Sequence, residues 1–158
     1  MSLTIRPFED RDRAAAVGLF EELNRHEHGI SNDRKTDRET AELCVAEILH
    51  GAERGSVIRA ADVGGELAGL MVWAAAVDQS FVEERVRNYG RVEDIVVAAA
   101  FRGQGIGQAL LAEAERLTRD AGMKRLRLSV LAGNEPAAKA YARFGFHDHA
   151  VVMIKDLD

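Results

Sequence analysis

The sequence predicts one mixed α/β (α+β) domain over residues 1–158, in which a central, mostly antiparallel sheet is flanked by about four helices. Three observations predict it. The chain has 158 residues, 47% of them hydrophobic, which suits a single core. Segments with a period of two alternate with segments of helical period. A strand, a helix and another strand follow one another between Val92 and Val130, so the fourth and fifth strands should be parallel.

The N-terminal third is predicted to contain one strand and two helices. A short β-like segment covers Leu3 to Pro7. The first helix follows it, with apolar residues at helical spacing at Ala16, Val17, Phe20 and Leu23. In the second helix, Thr36 and Glu39 have the spacing of a capping box, and Gly51 suits a C-terminal cap.

The middle of the chain is predicted to form a hairpin followed by a third strand. The segment "SVIRAADVGGELAGLMVWAAA" contains two strand patterns joined at Gly64 and Gly65, a pair that readily adopts the positive φ angles of a tight turn. Residues 77–91 show no clear period and are predicted to be a loop, at most with one helical turn. The next strand is expected from about Val92 to Ala98.

Two further helices and two strands are predicted in the C-terminal part. An amphipathic helix starts near Ile106 and stops at Gly122. The segment "KRLRLSVLAG" alternates as a strand, and Asn134 is placed to cap a fourth helix that ends at Gly145. The segment "HAVVMIKDL" is predicted to be a last strand.

Composition excludes several functional classes. The chain has 21 Lys+Arg against 26 Asp+Glu, a net charge of -5, so we expect neither nucleic acid nor an anionic membrane as partner. Cys44 is the single cysteine, no apolar run reaches the ~20 residues of a membrane span, and the N-terminus has no signal-peptide pattern. A soluble, cytoplasmic protein is the simplest interpretation. Neither histidine pair, His26/His28 nor His147/His149, has a zinc-site spacing, and no metal is expected.

A glycine-rich turn lies between the strand after Val92 and the next helix. Free N–H groups at such a helix start form a local anion site, for which a phosphate is the expected ligand. The dinucleotide spacing fails because its last glycine would fall at Gln108, and no Gly-Lys-Ser/Thr of a P-loop follows. The spacing that fits is Arg-x-x-Gly-x-Gly, at Arg102, Gly105 and Gly107.

A second motif follows the first at a suitable distance. The segment "NEPAAKAYARFGF" contains the pattern Asn-x-x-Ala-x-x-x-Tyr-x-x-x-Gly-Phe, with the alanine one position late. With both motifs, the sequence resembles the GNAT superfamily of N-acetyltransferases. The order of elements matches over the whole chain, whereas matching by residue is confined to about Glu93 to Phe146.

The resemblance implies acetyl-CoA as co-substrate and a set of coenzyme contacts. It implies that the glycine-rich turn binds the pyrophosphate and that main-chain groups of the preceding strand, beside a bulge that separates it from the fifth strand, bind the pantetheine. It also implies coenzyme contact by Asn134, although a helix cap would explain that residue equally well. The implied coenzyme-binding residues are Ile95, Val96, Val97, Arg102, Gly103, Gln104, Gly105, Ile106, Gly107, Gln108 and Asn134.

Two residues are the candidates for acid–base catalysis. "Glu-Asp-x-x-Val" resembles the diamine acetyltransferases, which implies that Glu93 deprotonates the amine, an ammonium ion near neutral pH. On a regular strand Glu93 would share a face with Ile95 and Val97, and Asp94 would share one with Val92 and Val96. Tyr141 stands where the family usually has its general acid. The alternatives are that Glu93 only pairs with an arginine and that the ring of Tyr141 only packs on the sheet.

The acceptor is predicted to be a primary amine of a small molecule. By resemblance, the acceptor pocket is lined by the segment between the first two helices and by the loop before the motif strand. These segments contain the acids Glu21, Glu22, Glu27, Asp33, Asp78, Glu83 and Glu84, but also the bases Arg25, Arg34, Lys35, Arg85 and Arg87. Two alternatives stay open, a CoA-binding sensor without turnover and a protein or peptide N-acetyltransferase. Because family members are often homodimers, the last strand could pair across an interface.

Overall fold

Five strands form one sheet in the order β1-β2-β3-β4-β5. The structure is a computed structural model that describes residues 2–158. Neighbouring strands are antiparallel from β1 to β4, and β4 and β5 are parallel, which confirms the mixed sheet and its one predicted parallel pair. The strands are β1 (Leu3–Pro7), β2 (Val57–Val63), β3 (Glu66–Val77), β4 (Asn88–Val97) and β5 (Leu126–Arg127).

Four long helices and one short helix accompany the sheet. The short helix is a single turn within residues 77–91, the segment that was predicted to be a loop. The helices are α1 (Arg13–Ser31), α2 (Arg38–Glu53), α3 (Glu84–Arg87), α4 (Ile106–Asp120) and α5 (Glu135–Phe144). Two 3-10 turns, Asp10–Asp12 and Ala99–Phe101, precede α1 and α4. Within residues 2–158, no helix combines the length and the apolar character needed to cross a membrane.

The predicted caps of α2 are wrong at both ends. The N-cap is Asp37, whose Oδ1 accepts a hydrogen bond of 2.8 Å from the backbone N–H of Thr40. A carboxylate in this position satisfies an otherwise unpaired helix N–H, so Thr36 and Glu39 form no capping box. At the other end, the helix continues past Gly51 to Glu53.

The two faces of the sheet bury two separate clusters of apolar side chains. Leu70, Val72 and Val96 face α1 and α2, which contribute residues such as Phe20 and Val45 to this cluster. On the opposite face, α4 covers the sheet, with apolar residues Met71, Trp73, Val92, Ile106 and Leu110. Every buried hydrophobic residue of the described chain lies between Ala16 and Ala114. Beyond α4, apolar residues such as Leu126 and Leu128 pack against the second cluster but are only partly buried.

A bulge in β4 changes which side chains share a face. Val72 on β3 lies opposite Asp94, but the next residue, Trp73, lies opposite Val92, so Glu93 is the extra residue. Asp94 and Val96 therefore point to the face of α1 and α2, whereas Val92 points to the face of α4. The expectation that Val92 shares a face with Asp94 is wrong because a bulge breaks the period of two. The strand also starts four residues early, at Asn88.

The C-terminal part has less regular structure than the sequence predicts. The strand pattern of residues 124–133 forms a ladder only at Leu126 and Arg127. The predicted last strand is absent, because residues 147–158 have no regular secondary structure. Asn134 occupies the N-cap of α5 but its side chain makes no capping hydrogen bond. Gly145, with a φ of 108°, ends the helix as expected.

Candidate functional site

The parallel strands β4 and β5 separate after two residue pairs. Gly90 lies opposite Leu126 and Arg91 opposite Arg127, and the ladder ends there, just before the bulge at Glu93. From Val92 onward, β4 is paired with β3 but has no strand on its β5 side. The open side of β4 therefore includes Ile95, Val96 and Val97, the strand residues that were predicted to contact the coenzyme. The bulge and the divergence agree with the expectation from the family resemblance.

The glycine-rich turn leads from this part of β4 into α4. Gly103 and Gly105 have φ angles of 76° and 80°, which favour glycine, and Gly105 is the N-cap of α4. A Cβ atom placed on either glycine would have no other atom within 4 Å, so the space beside the turn is open. The first N–H groups of α4 have no partner within the helix. The turn thus fits a phosphate by geometry as well as by spacing.

The other residues of the turn have different contacts. The Nε of Arg102 donates a hydrogen bond of 3.2 Å to the carbonyl oxygen of Val97, at the end of β4. Ile106 is 2% exposed and belongs to the core. The side chain of Gln108 donates to the carbonyl oxygen of Ala140 over 3.3 Å and so joins α4 to α5. The Gln104 side chain is exposed.

Glu93 is paired with an arginine of its own strand. Its Oε1 lies 2.6 Å from Nη2 of Arg91, and its Oε2 accepts a hydrogen bond of 3.3 Å from the hydroxyl of Ser56. The ion pair raises the pKa of Arg91 above its ordinary value. The arginine pairing that the sequence left open as an alternative for Glu93 is therefore present.

Asp94 has a different environment from its neighbour. Its side chain is half-buried on the face of α1 and α2, and in residues 2–158 it has neither a hydrogen bond nor an ion pair. Burial, and then the negative charges of Glu93, Glu27 and Glu47, raise its pKa from 3.8 to about 6. The sequence did not single out Asp94, because its orientation depends on the bulge. The only available signal was its position directly after Glu93.

Tyr141 lies on α5 with its ring half-buried against the edge of Phe146, the ring centroids 6.1 Å apart. Burial raises the pKa of its hydroxyl, and the negative charge of Glu27 raises it further. The hydroxyl thus stays protonated at neutral pH, as a proton donor must. Glu27, in the C-terminal half of α1, thus raises the pKa of both Tyr141 and Asp94.

Most acids of the predicted acceptor segments are already engaged. Glu27 binds Arg34 at 2.9 Å, and Asp78 binds Arg127 at 2.8 Å. Glu21 pairs with Arg38, Asp33 with Arg34 and Glu84 with Arg87, and Glu22 accepts a hydrogen bond from the N–H of Ala99. The predicted acceptor segments therefore carry less free negative charge than a count of their carboxylates implies. Nor does any group of three metal-ligating side chains occur in the part of the chain that the structure describes.

Comparison with known proteins identifies one family. The model of the family described as "Acetyltransferase (GNAT) family" matches residues 15–146. Streptothricin acetyltransferase of Streptomyces lavendulae is 42% identical over 82 residues, which are 52% of this chain and 39% of that protein. Glucosamine 6-phosphate N-acetyltransferase of Trypanosoma brucei brucei is 32% identical over 71 residues, 45% of this chain and 46% of that one. The match thus spans less than half the length of these curated relatives.

Solved structures show the same fold over the whole chain. AAC(6')-Iy, in complex with the bisubstrate analogue CoA-S-monomethyl-acetylneamine, superposes with a TM-score of 0.75 and covers 100% of this chain and 99% of its own. A structure of a putative acetyl transferase from Pyrococcus furiosus gives a TM-score of 0.72, covering 99% of this chain and 100% of that one. The identities, 17% and 24%, are low, so these likenesses concern the fold.

Proposed function

The chain belongs to the GNAT acetyltransferase family, and we propose that it is an N-acetyltransferase that moves the acetyl group of acetyl-CoA to a primary amine of a small molecule. One observation carries the proposal. The open glycine turn at the start of α4 lies directly after the part of β4 from which β5 has diverged. A phosphate site and an elongated gap between strands are thus continuous, as a nucleotide with a long flexible arm requires.

Coenzyme binding is assigned to the two parts of this surface. The N–H groups around Gly103, Gly105 and Gly107 bind the pyrophosphate, because the helix start is electropositive and no side chain blocks it. Main-chain groups of Ile95 and Val97 bind the pantetheine arm and polarise the thioester carbonyl, which stabilises the developing oxyanion. Arg102 and Asn134 complete the site. When bound, acetyl-CoA supplies the activated acetyl group.

Two carboxylates on β4 are candidates for the general base. Glu93, implied by the family resemblance, is held by Arg91, and an ion-paired carboxylate is a poor proton acceptor. Asp94 has no cation beside it in the described chain, and its pKa of about 6 is close to the operating pH of a good general base. We therefore favour Asp94 as the group that takes the proton from the ammonium ion, directly or through water, with Glu93 as the second candidate.

Tyr141 is assigned as the general acid. The neutral amine attacks the thioester carbonyl, and collapse of the tetrahedral adduct breaks the C–S bond and expels the thiolate. The protonated hydroxyl of Tyr141 donates its proton to this sulfur, and the resulting phenolate takes the surplus proton from the substrate nitrogen, so that the products are the acetamide and CoA and the hydroxyl is restored. The raised pKa of Tyr141 keeps the proton in place until the sulfur becomes basic.

The substrate class is a cationic small-molecule amine. Streptothricin and glucosamine 6-phosphate, in the names of the relatives, are small molecules. In this chain, Asp94 and Glu47 leave unpaired negative charge near the open part of the sheet, within the described residues. A peptide acceptor and a sensor without turnover are the alternatives. We also propose that the protein acts as a homodimer.

The test of function combines coenzyme binding with turnover. Thiol release from acetyl-CoA is followed over a panel of polyamines, aminoglycosides, amino sugars, amino acids and lysine peptides. Gly105→Glu places a carboxylate beside the phosphate site and should weaken acetyl-CoA binding by about a hundredfold or more. Gly55→Glu is the matched control, since Gly55 also has a positive φ, of 109°, and open space around it but lies at the end of α2.

Each outcome of this test has a distinct meaning. Loss of binding in Gly105→Glu but not in Gly55→Glu, with turnover of a small amine by the parent, supports the proposal. Equal coenzyme affinity of Gly105→Glu and parent by calorimetry refutes the phosphate site. Binding without turnover of any amine favours the sensor, and turnover restricted to peptides favours a protein acetyltransferase.

The identity of the base is tested by pH profiles. Asp94→Asn should remove the fall in kcat/KM on the acidic side, near pH 6, and lower turnover by about a hundredfold. Glu93→Gln should keep that fall and most of the activity. The reverse pattern would return the role to Glu93.

A further inference from the structure

One polar side chain interrupts the apolar inner face of α1. Asn24 follows Ala16, Val17 and Phe20 at helical spacing, and like them it is buried, with 9% of its surface exposed. The three apolar residues belong to the cluster between the sheet and the pair α1 and α2. A buried amide costs free energy unless its polar atoms have hydrogen-bond partners.

The amide of Asn24 is only partly satisfied. Its Nδ2 donates a hydrogen bond to the Sγ of Cys44 on α2 over 3.9 Å, a long contact with a weak acceptor. Its Oδ1 accepts no hydrogen bond from any residue of the described chain. Since every fully buried polar side-chain atom in residues 2–158 has a partner, solvent must reach this oxygen. The Oδ1 of Asn24 is therefore an unused acceptor that a small donor group can approach.

Asp94 is a second polar group without a partner on the same face of the sheet. It lies on β4 opposite Val72 and two residues before Val96, and both valines belong to the cluster that α1 and α2 cover. Within the described residues its carboxylate has no hydrogen bond. Cys44 packs against this cluster as well. Three elements thus bring an amide, a thiol and a carboxylate to one side of one core.

The other buried polar residues of the described chain are satisfied internally. The hydroxyl of Thr118, 3% exposed, accepts a hydrogen bond of 2.9 Å from Nε1 of Trp73 and donates one of 2.8 Å to a carbonyl oxygen of its own helix. Both carboxylate oxygens of Asp12, 4% exposed, are bound by Arg6. Only Asn24 among these three buried residues keeps a free acceptor atom, and such an exception is typical of a functional group.

A protonated primary amine supplies what both unsatisfied groups lack. It has three N–H donors, so one can bind the carboxylate of Asp94 and another the Oδ1 of Asn24. After Asp94 has taken a proton, the neutral amine keeps an N–H for Asn24 while its lone pair is free to attack the thioester. A neutral amide oxygen therefore holds the nitrogen both before and after deprotonation, which keeps it in position for attack.

We propose that Asn24 binds the acceptor nitrogen: its Oδ1 accepts an N–H of the amine and holds the nitrogen beside Asp94, while Cys44 orients the amide by accepting from its Nδ2. This inference deepens the proposed function and rests on it for the identity of the ligand. Asn24 is then a residue that selects for an N–H donor, and Cys44 is a positioning residue.

The first test compares steady-state kinetics with stability. Asn24→Leu removes the amide but keeps a side chain of similar size. It should lower kcat/KM for the amine about tenfold or more and leave KM for acetyl-CoA unchanged. Its Tm should be unchanged or higher, because an unsatisfied polar group leaves the core.

Thr118→Val is the matched control for a buried polar group replaced by an apolar one. It leaves the Trp73 N–H without its acceptor, so Tm should fall. The kinetic constants for both substrates should stay as in the parent. An Asn24→Leu variant that behaved like this control, with a lower Tm and an unchanged kcat/KM for the amine, would show that Asn24 is structural.

The second test needs no turnover. Cys44 is the single cysteine of the chain, so labelling with a thiol-specific methanethiosulfonate at mildly alkaline pH reports on one site. Ethylamine is the probe and should slow the labelling of the parent. Tetramethylammonium has the same charge but no N–H donor and should not slow it. In Asn24→Leu, ethylamine should give no protection.

The two tests separate failure of this inference from failure of the proposed function. An unchanged kcat/KM for the amine in Asn24→Leu, or an equal loss for amine and acetyl-CoA, would overturn the inference while the enzyme remains an acetyltransferase. So would equal labelling of Cys44 with and without ethylamine. If the parent turns over no amine, the proposed function fails, and the protection of Cys44 by ethylamine then decides by itself whether Asn24 belongs to an amine site.

Discussion

The region from β1 to α4 and the region from β5 to the C-terminus differ sharply in how they bury apolar surface. The first contains every buried hydrophobic residue of the described chain, on both faces of a four-stranded antiparallel sheet. In the second, β5 has a two-residue ladder, α5 buries no residue, and the last segment is exposed. The first region contains the fully buried core, and the second adds only partly buried residues to it.

The difference assigns separate tasks to the two regions. A well-packed sheet can hold the glycine turn, the bulge and Asp94 in place without the ligand. The loosely packed region contributes Tyr141 and the wall on the β5 side, which have few core contacts to hold them. Stability should therefore depend on the first region, whereas turnover should be sensitive to the second.

The sharpest comparison is one substitution made in both regions. Leu110 on α4 is 0% exposed within the apolar cluster between α4 and the sheet, so Leu110→Ala should lower the free energy of unfolding by about 3 kcal/mol. Leu128, after β5, is only half-buried, and Leu128→Ala should cost about 1 kcal/mol. Urea unfolding followed by circular dichroism, at a concentration where the protein is monomeric, measures both. Equal losses would mean that the two regions do not differ in stability.

The junction of the two regions has no space for a side chain at Gly90. A Cβ there would lie 2.5 Å from Nε1 of Trp73 and closer still to the hydroxyl of Thr118, which the Trp73 N–H binds as a donor. Gly90→Ala should therefore lower the free energy of unfolding by about 2 kcal/mol. Gly18→Ala, in α1 with open space around the new methyl group, is the control and should be neutral or stabilising. Similar effects of the two changes would contradict the close packing at Gly90.

The charge of Asp94 should lower the free energy of unfolding at neutral pH relative to a neutral side chain in the same place. Its folded pKa of about 6 exceeds the ordinary 3.8, so the folded state binds the proton more tightly and stability falls as pH rises from about 4 to 6. Asp94→Asn should raise the free energy of unfolding by about 2 kcal/mol at pH 8. The gain should vanish near pH 4, where Asp94 is protonated in the folded parent.

Glu93→Gln provides the control for this pH dependence. Glu93 forms a surface ion pair with Arg91, and such pairs contribute at most about 1 kcal/mol. The variant should therefore be as stable as the parent or slightly less stable. Thermal unfolding of both variants and the parent from pH 4 to pH 8 measures these differences in stability. A gain in stability for Asp94→Asn that did not change with pH would refute the raised pKa.

The smallest expected effect belongs to Tyr141. Tyr141→Phe should lower kcat about tenfold, near the low end for a general acid because a thiolate leaves more readily than an amine. Affinity for acetyl-CoA and stability should hardly change, since α5 buries no residue. Stopped-flow turnover and calorimetry separate these quantities. Unchanged kcat would end the assignment of Tyr141 as the acid.

The predicted site residues illustrate how far local sequence patterns reach. The spacing of Arg102, Gly105 and Gly107 predicted a helix start after a strand, and the positive φ angles of Gly103 and Gly105 agree with it. Glu93 was located on the right strand, but its pairing with Arg91 was visible only as a general alternative. The acids of the predicted acceptor segments could be counted in the sequence. Their arginine partners could not be identified from it, because a partner can come from another element, as Arg127 does for Asp78.

The sequence by itself determined the order of elements, the antiparallel hairpins, the parallel crossover and the glycine turn, because these follow from local periods and from residues with special backbone freedom. Tertiary structure alone decided the bulge at Glu93, the orientation of Asp94, the shortness of β5 and the exposure of residues 147–158. The physical reason is that register and burial depend on the opposing strand. The bulge, for example, exists only in the register of β4 against β3, which the alternation within β4 does not contain.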